Sequence, residues 1–141
     1  MAGLILAYAR EVEVGDGVLS EAEERNQLNE WFEGTKRTLE YTAPRDFVAM
    51  KYSGAGSYIL RLLGAQPPAK PTPEIAKALE DICDLAAKRG VKLLMDAEHL
   101  NVQHGINVWT LDLMRKYNRL GDGKAVIYNT YQMYFQPTFL L

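Results

Sequence analysis

The sequence predicts an α/β protein with parallel strands, on three observations. Segments with helical apolar spacing alternate with short apolar runs, in the order helix, strand, helix, strand, helix, strand, which is the pattern βαβ units leave in a chain. Two of the runs, Val91–Met95 (VKLLM) and Ala125–Tyr128 (AVIY), are almost continuously apolar, as strands buried on both faces are. Each run then ends in polar residues: Lys51 and Tyr52 after the first, Asp96, Glu98 and His99 after the second, Asn129, Thr130 and Gln132 after the third.

The elements follow one by one. Leu4–Ala9 is apolar but is met at once by Arg10, Glu11 and Glu13, far short of the ~20 residues that cross a bilayer. Ser20-Glu21-Ala22-Glu23 has the S-x-x-E form in which serine and glutamate cap each other's backbone donors. Leu28, Trp31, Phe32, Thr35 and Leu39 behind it make one apolar stripe, so a helix is predicted over roughly 21–41, stopped before Pro44. Phe47–Lys51 (FVAMK) reads as a buried strand, and Gly54 and Gly56 as the turn into a short helix, Tyr58–Leu63. Gln66–Pro73 holds four prolines and reads as a loop. Thr72-Pro73 starts the next helix, with proline at its first position. Ile75, Leu79, Ile82, Leu85 and Ala86 form its apolar face and Gly90 ends it. After VKLLM, the stretch Asn101–Tyr117 carries Ile106, Trp109, Leu113 and Tyr117 on one face. Gly121-Asp122-Gly123 then turns the chain into AVIY. The two later strands begin about 34 residues apart, a spacing that suits a doubly wound sheet and a (βα)8 barrel equally.

Composition narrows the function classes. A chain of 141 residues, 48% hydrophobic and 24% charged, is one globular domain by size. Its net charge of −2 is spread along the chain, without the basic stripe of a nucleic-acid binder. One cysteine, Cys83, excludes an internal disulfide and a multi-cysteine zinc site, and its place in a helical pattern predicts a buried, inert thiol. His99 and His104 lie five apart, off the i, i+4 spacing of a helical metal pair, so no metal site is expected. Gly54-Ala55-Gly56 follows a strand as a dinucleotide loop would, but Ile59 stands where the third glycine belongs, so a plain strand-to-helix turn is the better reading. Trp109 and Tyr117 read as core. The N-terminus shows neither a transit peptide nor a secretory signal, which leaves a cytosolic protein or a start upstream of Met1.

In parallel α/β folds ligands sit beyond the carboxyl ends of the strands. Any one strand must end in something polar, so Lys51 or Asp96 alone would mean little. Three successive strand ends carrying a lysine, a carboxylate pair and amides point to a site for a small polar substrate.

The strings at those ends resemble a known family. KLLMDAEHLNVQHGINVWTLDLMRKYNR, followed by AVIYNTYQMY, is similar to proline dehydrogenase of the eukaryotic mitochondrial, fungal-like type. That pattern runs strand, Asp96-Ala97-Glu98, Gln103, the Arg115–Asn118 run, then strand and Asn129 to Tyr134. FVAMKYSGAG resembles the family's first barrel strand with its lysine, and LILAYAREV resembles the approach to the barrel in fungal members. The resemblance implies an FAD-binding (βα)8 barrel that oxidises L-proline to Δ1-pyrroline-5-carboxylate in mitochondria, with a quinone as the expected electron acceptor. It implies that Lys51 pairs with the proline carboxylate, that Asp96 orients an arginine gripping the same carboxylate, and that Gln132 hydrogen-bonds the flavin ring.

A complete barrel needs about 250 residues, so the expected architecture is the incomplete N-terminal part of one: about three parallel strands with helices. Residues 1–134 are expected to form a partial barrel domain with an N-terminal helical arm, and residues 135–141 a tail outside the family pattern. The strands that would bring the remaining arginines and most of the FAD surface are absent from the sequence, so the chain is expected to be a truncated, inactive fragment. The alternative is a non-catalytic interaction module built from the same half barrel.

Overall fold

In the computed structural model, which describes residues 3–10, 19–119 and 124–134, four parallel strands lie side by side in chain order. They are β1 (Ile5–Ala7), β2 (Phe47–Met50), β3 (Lys92–Met95) and β4 (Ile127–Asn129), and the helices are α1 (Glu21–Tyr41), α2 (Ser57–Gly64), α3 (Pro73–Arg89) and α4 (Leu100–Tyr117). The three expected parallel strands form as β2, β3 and β4, and β1 joins them as a fourth. β1 falls in the segment read only as the approach to a barrel, and pairing makes it a strand: Phe47 N donates to Leu4 O at 2.9 Å and Leu4 N to Asp46 Oδ1 at 3.0 Å. Its residues face β2 in parallel register, Ile5 opposite Phe47. Among the described residues the sheet stays open, with β1 and β4 as its edges. The Gly121–Gly123 turn and the 135–141 segment lie outside the described residues.

Helices α1 and α3 begin at side-chain caps. Ser20 Oγ accepts the Glu23 amide, and the Glu23 carboxylate accepts the Ser20 amide at 2.8 Å, closing the capping box of α1. Thr72 Oγ1 accepts the Ile75 amide at the head of α3. At the other end Gly90 takes φ 68°, a left-handed conformation costly for a side chain, and its N–H closes on Ala86 and Ala87. Arg89 then ties α3 to the end of α1 by donating to the carbonyls of Leu39 (2.9 Å) and Glu40 (2.7 Å).

Alternation along the strands separates two faces. Val48, Met50, Leu93, Met95 and Ile127 point to the helices and are at most 2% exposed. Phe47, Ala49, Lys92, Leu94 and Tyr128 point the other way and are only partly covered. On that side the Lys92 ammonium lies over the rings of Phe47 (5.1 Å) and Tyr128 (5.8 Å), so its charge is met by aromatic faces. On the helical side α1 packs on α3 and α2 on α4. The second pair meets at Gly105, where a Cβ would lie 2.3 Å from Leu63 O. Cys83 is buried and desolvation pushes its thiol up to about 12, so it is an inert core residue.

Candidate functional site

The site sits at the carboxyl edge of the sheet. β2 passes from Met50 into Lys51, whose backbone remains extended, and then into a tight turn, Tyr52–Ala55. β3 runs on by one residue, since Asp96 N donates to Met50 O at 2.9 Å. With Met50 opposite Met95 in register, Lys51 and Asp96 become neighbours on adjacent strands. β4 is fastened by Asn118 at the end of α4. Its Oδ1 accepts the amides of Val126 and Ile127, both at 2.9 Å, and its Nδ2 donates to Ile127 O at 2.7 Å. The chain then returns over the site, with Thr130 N donating to Met95 O and Gln132 Nε2 to Glu98 O at 3.1 Å.

An open cavity of about 1050 Å³ lies here, between the strand ends and the α2–α4 pair. Lys51, Glu98, His99 and Gln132 supply its polar wall, with Arg61 from α2. Leu60 and Val102 supply apolar wall. All three residues singled out from the sequence stand at strand carboxyl ends. Lys51 and Gln132 line the cavity itself, while Asp96 lies beside Lys51 and does not line it. Desolvation raises the Asp96 carboxyl above its usual range, and the Lys51 charge pulls it partly back. Two charges of opposite sign therefore share one strand-end position, the acid partly shielded from water.

Beneath the site lies an aromatic row. Tyr52 is fully buried, stacked on Trp31 at 6.4 Å and edge-on to Trp109 at 5.9 Å. Burial holds the Tyr52 phenol protonated, against a smaller opposing effect of Thr110. The Trp31 indole N–H donates to Lys51 O at 3.0 Å and the Trp109 indole to Ala69 O at 2.8 Å.

A polar chain that the sequence reading did not assemble joins the strand ends. Both Glu98 carboxylate oxygens accept the Ser53 amide, at 3.1 and 3.2 Å. Glu98 N donates to Gln103 Oε1 at 2.7 Å, and Gln103 Nε2 donates to Asn107 Oδ1 at 3.1 Å. Asn129 Nδ2 reaches the same Asn107 oxygen at 3.1 Å. Gln103 and Asn107 are i, i+4 on α4, a spacing visible in the sequence. That the pair meets β4 was not.

An open parallel α/β sheet with a lysine, a desolvated carboxylate and an amide at successive strand ends is of the class that holds a small polar ligand above its carboxyl edge. The family model for proline dehydrogenase matches residues 5–139, and the chain belongs to that family. Among its relatives, it is 37% identical over 81 residues to proline dehydrogenase 1, mitochondrial, of Drosophila melanogaster, covering 56% of this chain and 12% of the relative. To the probable proline dehydrogenase, mitochondrial, of Schizosaccharomyces pombe it is 37% identical over 59 residues, 42% of this chain and 11% of the relative. To the carbapenem antibiotics biosynthesis protein CarD of Pectobacterium carotovorum it is 30% identical over 122 residues, 80% of this chain and 32% of the relative. The chain thus spans a third or less of these relatives. Its fold is similar to that of proline utilization A from Bdellovibrio bacteriovorus, crystallised after inactivation by N-propargylglycine. That likeness has a TM-score of 0.59 at 18% identity, over 99% of this chain and 15% of that one.

Proposed function

We propose that this chain supplies the substrate-carboxylate wall and part of the flavin wall of an enzyme that oxidises L-proline to Δ1-pyrroline-5-carboxylate. The observation that carries the reading is the convergence of Lys51, Asp96 and Gln132, from three different strand ends, on one edge of the sheet. Lys51 has the charge and position to receive a small carboxylate entering the cavity. Asp96, an acid flanked by that cation, is placed to accept from a second cation belonging to a further segment of barrel. The residues present fit the ring of a flavin: the Gln132 amide, held by Glu98 O on the cavity wall, can donate to or accept from a heterocycle edge. FAD supplies the two-electron acceptor in this reading, and Gln132 adjusts how readily it accepts. A quinone as the next acceptor and a mitochondrial location complete the proposal, the latter supported by the names of the fly and fission-yeast relatives. No helix among the described residues is long and apolar enough to cross a membrane.

The test compares the 141-residue chain with the full family-length protein, by flavin absorbance after gel filtration and by proline-dependent dye reduction. The short chain should neither retain FAD nor turn over. A single Lys–carboxylate pair in water contributes only about 0–1 kcal/mol, too little to position proline. In the long form, Lys51→Ala should raise KM for proline by roughly tenfold or more, and Asp96→Ala should lower kcat. A yellow, active short chain would overturn the fragment reading. An unchanged KM in Lys51→Ala would show that the lysine is not the carboxylate partner.

A further inference from the structure

The polar groups of the site are not independent, and Glu98 is where they join. The backbone at and just after Lys51 is held at two points. Trp31 caps the Lys51 carbonyl at 3.0 Å, and two residues on, Ser53 gives its amide to both oxygens of Glu98, at 3.1 and 3.2 Å, across 45 positions of sequence. The main chain of Glu98 is held in turn: its N–H goes to Gln103 at 2.7 Å and its carbonyl receives the Gln132 side chain at 3.1 Å. One residue therefore grips the turn that carries Lys51 with its side chain and the amide that lines the cavity with its backbone. The Gln103–Asn107–Asn129 chain braces it against α4 and the end of β4.

We propose that Glu98 is a positioning residue that sets the distance between the Lys51 cation and the Gln132 amide. The inference rests on the roles given to those two residues above and adds a third that neither pairs with the substrate nor replaces them. Amide hydrogen bonds to a carboxylate are among the stronger ones a protein makes, and a displacement of about 1 Å at a remote support can cost much of a site's efficiency. Loss of the carboxylate frees the Tyr52–Ala55 turn, and with it Lys51. It also loosens the loop whose carbonyl orients Gln132.

The experiment uses the full family-length protein with FAD bound, in wild-type, Glu98→Ala, Glu98→Gln and Lys51→Ala forms. It measures KM and kcat for L-proline, the visible flavin spectrum and the flavin reduction potential. Glu98→Ala should raise KM about tenfold and shift the flavin band and potential. Glu98→Gln keeps one acceptor oxygen without the charge, so its KM should rise by only about threefold. A residue that merely stabilised the fold would lower flavin content and melting temperature and leave KM and the spectrum of the loaded fraction at wild-type values. That result overturns the proposal. Should Glu98→Ala fail to fold, Glu98→Gln decides alone, and a wild-type KM and spectrum there overturn it too. If Lys51→Ala leaves KM unchanged, the functional reading of the lysine has failed. If Lys51→Ala raises KM and neither Glu98 variant does, only the role of Glu98 has failed.

Discussion

The helical face of the sheet and its opposite face are built from the same strands yet are very different surfaces. On the helical side Val48, Met50, Leu93, Met95 and Ile127 are sealed under four helices, together with Ile106 and Trp109 of α4. On the other side Phe47, Ala49, Leu94 and Tyr128 are only half covered, β1 leaves Ile5 62% exposed, and a lysine stacks between two rings. Stability is concentrated on the first face. The second face is the one whose alternation continues into Lys51 and Asp96, so these two residues of the proposed site lie on the side with the least packing. A surface that must admit a ligand or further chain cannot also be filled by its own side chains.

Adjacent residues of β3 test this most strongly. Leu93 is fully buried and Leu94 half-buried. Leu93→Ala should cost about 2–5 kcal/mol, as cavity-forming changes in cores do, whereas Leu94→Ala should cost about 1 kcal/mol in proportion to its smaller burial. Urea unfolding of the two variants measures both, and equal losses would show that the second face is as well packed as the first.

Gly105→Ala comes next. Its Cβ would lie within 2.8 Å of three Leu63 backbone atoms, which are backbone and cannot step aside as a flexible side chain would. The α2–α4 pair must separate, at a cost of about 1–3 kcal/mol. Because that pair also walls the cavity, the change should weaken ligand binding together with stability. A variant as stable as wild type would mean that the helices sit further apart than described.

A smaller effect is expected at the rim. Ser20→Ala removes the side-chain half of the capping box on α1 and should cost about 1 kcal/mol, with no change at the carboxyl edge. A melting curve combined with KM for proline in the long form would separate the two. A changed KM would mean that α1 transmits its fraying to Lys51 through Trp31.

The least effect, and the one most particular to the open face, is at Asp96. Its carboxyl is raised by desolvation, so the folded protein holds that proton more tightly than the unfolded chain. The stability it contributes is fully present below the unfolded value of ~3.9 and is lost as pH rises through the higher folded value. Asp96→Asn should therefore match wild type near pH 3.5 and be equal or slightly more stable at pH 7, by less than about 1 kcal/mol for a site this open to water. A variant less stable than wild type at pH 7 would mean that the Lys51 attraction outweighs desolvation.

Much of this fold was legible in residue order. Helix α1 could be placed at 21–41 because Ser20 and Glu23 cap it and Pro44 forbids its continuation. Helix α3 was bounded by Thr72-Pro73 and Gly90. Strands β2 and β3 could be found because a run such as VKLLM has no helical stripe and is closed by turn residues. The positions of Lys51, Asp96 and Gln132 followed, since side chains after parallel strands share one end of the sheet. β1 was not legible as a strand: three apolar residues satisfy several conformations, and only the hydrogen bonds from Phe47 and to Asp46 select the extended one.

The sequence by itself determined the elements whose causes are local: caps, breakers, apolar periodicity and the polar residues next in line. It also carried the strings that mark the family. Tertiary structure alone decided that Asp96 is desolvated beside Lys51, that Glu98 holds an amide 45 residues away, and that Asn107 joins α4 to β4. Burial and long-range hydrogen bonds depend on which surfaces meet, and a strand end does not specify its neighbour until the sheet has set its order and register.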